Sequence, residues 1–168
     1  MSQAQQLDEL LKRPNIDDAT ARYKKMLGEI RTQLGEKVAL GSWQEGLSGE
    51  ISPGCTNFHD VDLHDAQTVY TTWGSPGTLT ETTWPQAVQA LLSVSANYGF
   101  NTKGMEVNKA PFHDYNMLDA YGAEVSISTG SNSNTRTNTM LTLKTGCHLT
   151  AAAHSRGKPD TSSVSPTG

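Results

Sequence analysis

Two cysteines, Cys55 and Cys147, place the tightest constraint on how this sequence can fold. They lie far apart, so they fit neither a CxxC redox motif nor a zinc knuckle. Each follows a glycine, at Gly54–Cys55 and Gly146–Cys147, where the backbone can bend to meet disulfide geometry. A bridge closing so long a loop would stabilise by roughly 4–5 kcal/mol in the chain-entropy model, less if strained. The other reading is a pair of free, buried thiols. We favour the disulfide, and with it an oxidising, exported location.

Cys147 comes at the end of a predicted β-hairpin spanning residues 122–149. Val125 and Ile127 alternate with Glu124, Ser126 and Ser128, the period-2 pattern of a half-buried strand. After the polar run Gly130–Arg136, Leu141 and Leu143 alternate with Met140, Thr142 and Lys144. A strand rich in Val, Thr, Tyr and Trp is predicted at Gln67–Trp73, with a turn at Ser75-Pro76-Gly77. Another spans Lys103–Lys109, with Met105 and Val107 on one side. Pro111 closes it, and a connection through Tyr115 and Tyr121 leads to the hairpin. Gly41–Gly54 is punctuated by glycine and serine and reads as extended or irregular chain tied down at Cys55.

Three helices are predicted. Gln3–Lys12 puts Leu7, Leu10 and Leu11 on one face and ends at Pro14. Asn15 or Asp17 can cap a longer helix running to about Lys37. Its residues Tyr23, Met26, Leu27, Ile30 and Leu34 keep the spacing of a core-facing stripe. Asp17 and Asp18 suit its positive end and Lys37 its negative one. In Thr83-Trp84-Pro85-Gln86, Thr83 can cap a third helix with Gln86 as reciprocal partner and Pro85 in the first turn. Trp84, Val88, Leu91, Leu92 and Ser95 form its inner face. Gly99 stops it in a left-handed cap, with Phe100 folding back.

The architecture that follows is α+β: helices on one face of a roughly four-stranded antiparallel sheet (strands near 67–73, 103–109, 122–129 and 138–147), cystatin-like by analogy, with one disulfide. Residues 1–16 form a short helix and linker, 17–150 a single domain, and 151–168 a flexible Ser/Thr/Pro/Gly-rich tail. Antiparallel sheets often leave one face to solvent. Thr68, Thr72, Ser126, Ser128 and Thr142 are the candidates for that open face.

Several function classes are unsupported. The net charge of −4 is mild and the 13 Lys and Arg are dispersed, so no basic face for nucleic acid stands out. No run approaches 18 apolar residues, and Met1–Gln6 is polar, unlike a signal peptide. Ile51–Cys55 echoes a lipid-attachment box, but no hydrophobic segment precedes it. No phosphate-binding loop or nucleophile elbow occurs, and a Cys147–His148 dyad would need neighbouring strand residues to share a face. The one dense polar constellation is His59-Asp60-Val61-Asp62-Leu63-His64-Asp65. His59, Asp62, His64 and Asp65 are metal-ligand types, yet their spacing matches no known motif, and such loops usually form Asx turns or ion pairs. They remain weak metal candidates, which His113-Asp114-Tyr115 could join only if the fold brings two loops together. The expectation is no catalytic residue, no metal and no cofactor.

The order of landmarks resembles the LppA-like lipoproteins of mycobacteria over roughly Leu7–Leu149. It lies in the paired helices Leu7–Pro14 and Ala19–Leu34, Cys55 midway, and the helix ending Ala96-Asn97-Tyr98-Gly99. The Asp114–Tyr115 pair and the Leu143–Leu149 stretch holding Gly146–Cys147 complete it. The resemblance implies a non-enzymatic envelope protein at the outer face of the cytoplasmic membrane, held by a lipidated cysteine near its mature N-terminus. No such cysteine is present here, so Met1–Ser2 is expected to start downstream of the anchor. The expected role is a scaffold binding an envelope protein, lipid or glycan. The alternatives are a small-molecule carrier with a cavity between helix and sheet, or a metal-dependent enzyme using residues 59–65.

Overall fold

Hydrophobic periodicity sorts the chain into helices that lie across one face of a seven-stranded antiparallel sheet. The computed structural model describes residues 1–130 and 138–157. The elements are α1 (Gln3–Leu11), α2 (Ile16–Val38), β1 (Gln44–Pro53), a 3₁₀ turn (Thr56–Phe58), β2 (Ala66–Pro76), α3 (Trp84–Ala96), β3 (Thr102–Lys109), β4 (Phe112–Leu118), β5 (Glu124–Thr129), β6 (Asn138–Lys144), β7 (His148–Leu149) and α4 (Ala151–Arg156). The sheet order is β1-β2-β6-β5-β4-β3, with β7 also paired to β2. None of the described helices is long and apolar enough to cross a membrane.

The α+β class and the antiparallel sheet agree with the sequence reading, but the strand count of four was too low. β1 stands where extended or irregular chain was expected but no paired strand was counted, β4 where a connection was, and β7 follows β6 after a break. The helix-facing side of the sheet is the alternation read from the sequence. Ile127 pairs with Leu141 and Val125 with Leu143, and all four are buried. Met117 of β4 extends that row. Against it pack Tyr23, Met26, Leu27, Ile30 and Leu34 of α2 and Leu91 of α3, forming the main core.

Helix ends follow local chemistry. Asn15 caps α2 by accepting from the Asp18 N–H at 2.9 Å. Ser2 and Gln5 form a capping box on α1. The capping box expected at Thr83 does not form. Its hydroxyl accepts instead from the Thr80 N–H at 2.9 Å, within a Thr80–Thr83 turn. At the other end of α3, Gly99 takes φ 87° and buried Phe100 returns its N–H to Ser95 O, as expected.

A second, smaller core sits at the disulfide. Cys55 and Cys147 are bonded, with S–S 2.07 Å and Cα–Cα 5.9 Å. Around them gather Leu10, Phe58, Val61, Ala66, Leu149 and Ala153. Cys147 lies in the break between β6 and β7. There the Thr145 N–H donates to Val69 O at 2.9 Å, and the Thr145 hydroxyl accepts from the Val69 N–H. The next residue must be glycine for a steric reason: a Cβ at 146 would stand 1.8 Å from Tyr121 O.

Residues 151–156, read from the sequence as the start of a mobile tail, are a short helix capped by Thr150 and docked through buried Ala153. Arg156 pairs with Asp65 at 2.7 Å. The reading missed it because six residues are too few to show an apolar period. Residues 1–16, read from the sequence as a short helix and linker, pack onto the fold through buried Leu10 and Arg13. The expected hairpin turn at 131–137 and the rest of the tail, 158–168, lie outside the described residues.

Gly146→Ala should destabilise the protein by about 1–3 kcal/mol, because the added methyl must push backbone apart. Gly41→Ala, with nothing near the added Cβ, should stay within about 0.5 kcal/mol. Urea unfolding of the two variants side by side checks the difference.

Candidate functional site

The helix-free face of the sheet carries the densest ordered array of polar side chains. Register sets it out in rows across the strands. Asn116, Ser126, Thr142 and Thr72 form the central row. On one side run Leu118, Glu124, Lys144 and Tyr70, and on the other Asp114, Ser128, Met140 and Gly74. The period of two that buries Val125 and Ile127 necessarily turns Glu124, Ser126 and Ser128 to this side.

The central row is tied together. Ser126 Oγ and Thr142 Oγ1 share a hydrogen bond of 2.5 Å, and Thr72 Oγ1 accepts from the Leu47 N–H at 2.8 Å where β1 bulges. That bulge covers Thr72, one of the expected open-face residues, and leaves it 8% exposed. Gly46 opposite has no room for a side chain, since a Cβ would meet Thr72 Oγ1 at 2.5 Å. Ser126, Ser128, Thr142 and Thr68 are half-exposed, as read from the sequence.

Asn116, at the β4 end of the central row, is 6% exposed. Its Nδ2 donates to Glu124 Oε1. Glu124 stands opposite Leu118, so the amide's other end, Oδ1, turns toward the Asp114 side. Asn116 Oδ1 and Asp114 Oδ1 are both sheltered, and neither has a hydrogen-bond partner among the described residues. Burial pushes the Asp114 carboxyl above its ordinary range, and the nearby Glu124 charge adds to the shift, against a backbone hydrogen bond from Tyr115. Those two oxygens are closed off from solvent, whereas the hydroxyls of Ser126, Ser128 and Thr142 are half-exposed and within reach of a ligand.

The 59–65 cluster is used differently. Asp62 Oδ1 accepts from the His64 N–H at 2.8 Å in an Asx turn, and Asp65 is held by Arg156. Asp60 exchanges two hydrogen bonds with Gln6 of α1, while the His59 side chain is 73% exposed. Asp60 and Asp65 therefore join the loop to α1 and α4, Asp62 shapes the loop itself, and His59 and His64 are exposed. Among the described residues, no three His, Cys, Asp or Glu side chains stand together to hold a metal ion. His113 faces the helices, stacked 5.1 Å from Trp84, with Glu81 and Asn108 on its two nitrogens. Asp114 faces the other way. The carrier alternative needs a cavity between helix and sheet; that space holds the side chains of the main core.

Asn116 was not singled out, and Asp114 was weighed only as a possible addition to a metal cluster, because β4 was read as a connection. The signal was present in the alternation of His113, Tyr115 and Met117 against Asp114 and Asn116.

Comparison with known proteins bears on the whole chain. The model of the LppA family, described as a lipoprotein confined to pathogenic Mycobacterium, matches residues 2–151. Among solved structures, the crystal structure of the lipoprotein LppA from Mycobacterium tuberculosis superposes with a TM-score of 0.67 at 13% identity, covering 90% of this chain and 88% of that one. At that identity the likeness is one of fold. A comparison with curated proteins gave no match.

A carboxyl whose folded pKa is raised stabilises the fold below its ordinary value, here 3.8, and weakens it as pH rises through the folded value. Asp114→Asn should therefore unfold at a higher temperature than wild type at pH 7, with the advantage fading toward about pH 4. Thermal melts across that range check it; a variant less stable at pH 7 would contradict it.

Proposed function

Since the chain belongs to the LppA family of lipoproteins, we propose that it is a non-enzymatic binding domain of the cell envelope whose open sheet face takes up a glycan. The observation that carries this reading is the set of half-exposed hydroxyls of Ser126, Ser128 and Thr142, side by side on this face. Sugar hydroxyls can exchange hydrogen bonds with all three. Tyr70, 38% exposed on the same face, offers a ring against which a sugar's apolar side can lie. The polarity of the central row speaks against a lipid tail as occupant. Family membership supports an envelope-associated location, and the staple of Cys55 to Cys147 suits an oxidising compartment.

Calorimetric titration with oligosaccharides released from the mycobacterial envelope tests the proposal. Wild type should bind, and Tyr70→Ala and Thr142→Lys should each weaken binding about tenfold or more, which is about 1.4 kcal/mol, without changing the unfolding midpoint appreciably. No binding, or binding indifferent to both substitutions, would contradict it. Capture of a protein through the same face, with no glycan affinity, would overturn the glycan reading in favour of a protein partner.

A further inference from the structure

The joint between α1 and α2 is gripped by two histidines. His148 Nδ1 lies 2.8 Å from Pro14 O, and His154 Nε2 lies 2.9 Å from Arg13 O. Arg13, itself buried, donates from one Nη to Tyr121 O at 2.9 Å and to Cys147 O at 3.0 Å, and its guanidinium lies over the Phe58 and Tyr121 rings. These contacts fasten residues 13 and 14 to the disulfide end of the sheet.

The two histidines differ in what a second proton would do. A carbonyl can only accept, so Nδ1 of His148 carries the proton of the neutral ring and Nε2 is bare. His148 is fully buried, edge-on to Tyr121, and its Nε2 is sheltered without a partner among the described residues. A proton there would find no acceptor and would put a second positive charge beside Arg13. Asp119, the nearby carboxylate, is already engaged by the Tyr23 hydroxyl and by the N–H groups of Tyr121 and Ala123. From α1, Glu9 reaches only Arg13. From α4, Arg156 is paired with Asp65, and β2 presents uncharged Ala66 and Gln67 across from β7. Burial holds the His148 imidazole below its ordinary range, and Arg13 adds to that, against the Pro14 hydrogen bond and Asp119. His154, by contrast, is half-exposed, and its Nε2 faces the Arg13 carbonyl.

We propose that this two-histidine clasp is an acid-sensitive latch: protonation of His148 frees residues 1–14 from the disulfide end while the sheet and α2–α3 stay folded. The separation is built into the packing, because α1 rests on the small core of Leu10, Phe58, Val61, Leu149 and Ala153 and not on the main one. Release uncovers that apolar seat. A depressed histidine stabilises the closed form above its ordinary pKa of about 6.5 and loses that contribution as pH falls.

Hydrogen exchange on the intact, disulfide-bonded chain at pH 7.5 and 5.0, corrected for intrinsic rates, tests the latch. Protection over residues 3–13 should fall at least tenfold at pH 5.0, with β5 and β6 unchanged. His148→Asn, which keeps a donor toward Pro14 O but cannot titrate, should hold α1 protected at both pH values, while His154→Asn should behave as wild type across the pH change. Should His148→Asn fail to fold, the His148 ring resonance of the wild type should titrate in step with the Leu10 and Arg13 amides. Unchanged α1 protection, loss shared equally by β5 and β6, loss that persists in His148→Asn, or ring and amide titrations out of step would overturn the proposal.

Discussion

One covalent bond and one buried cation hold together three parts of the chain that are distant in sequence. The Cys55–Cys147 bridge joins the loop after β1 to the break between β6 and β7. Arg13 brings in the N-terminal segment by donating to the carbonyl of Cys147 itself. A buried guanidinium is tolerable only where its donors are answered, and here backbone oxygens and aromatic faces answer them. The bridge acts mainly on the unfolded chain by closing a long loop, whereas Arg13 acts on the folded one. Gly146 lets the two backbones approach, and the Asp119 turn that supplies Tyr121 is tied back to α2 through Tyr23. Burial, reinforced by the hydrogen bond to Asp119, pushes the Tyr23 phenol far above its ordinary range, so it stays a neutral donor.

Much of this could be read from the residues. The stripe Tyr23–Leu34 and the alternations through Val125–Ile127 and Leu141–Leu143 are unambiguous because each element buries one face only. The disulfide was legible because the other arrangements for two distant cysteines lacked a motif. What escaped shares a different character. β1 is exposed on nearly every residue, so it has no apolar period, and its glycines accommodate bulges rather than break the strand. β4 mixes His, Asp, Tyr and Asn, and only its helix-facing half follows a hydrophobic rule. The Thr83 cap failed because the Thr83 hydroxyl is taken up by the Thr80 N–H and hydroxyl instead of the helix N–H groups.

The same geometry divides the molecule into faces with different work. One side of the sheet is closed by α2 and α3 and is spent on stability. The other keeps a tied row of hydroxyls and an amide with unmet acceptors, and it owes its order to neighbours rather than to any one residue. The chain belongs to the LppA family and shares its fold with the Mycobacterium tuberculosis protein. The polar 59–65 loop, the most suggestive stretch in the sequence, turns out to join α1 and α4 to the body.

The account stands on the covalent joint, and its most direct test is chemical. Native, unreduced protein should be alkylated under denaturing conditions, digested and mapped by mass spectrometry before and after reduction. The account predicts one cross-linked peptide pair containing Cys55 and Cys147, no alkylated cysteine before reduction, and a loss of about 4–5 kcal/mol in unfolding free energy once the bridge is reduced. Two alkylated cysteines in unreduced material, or an unfolding midpoint indifferent to reductant, would contradict it.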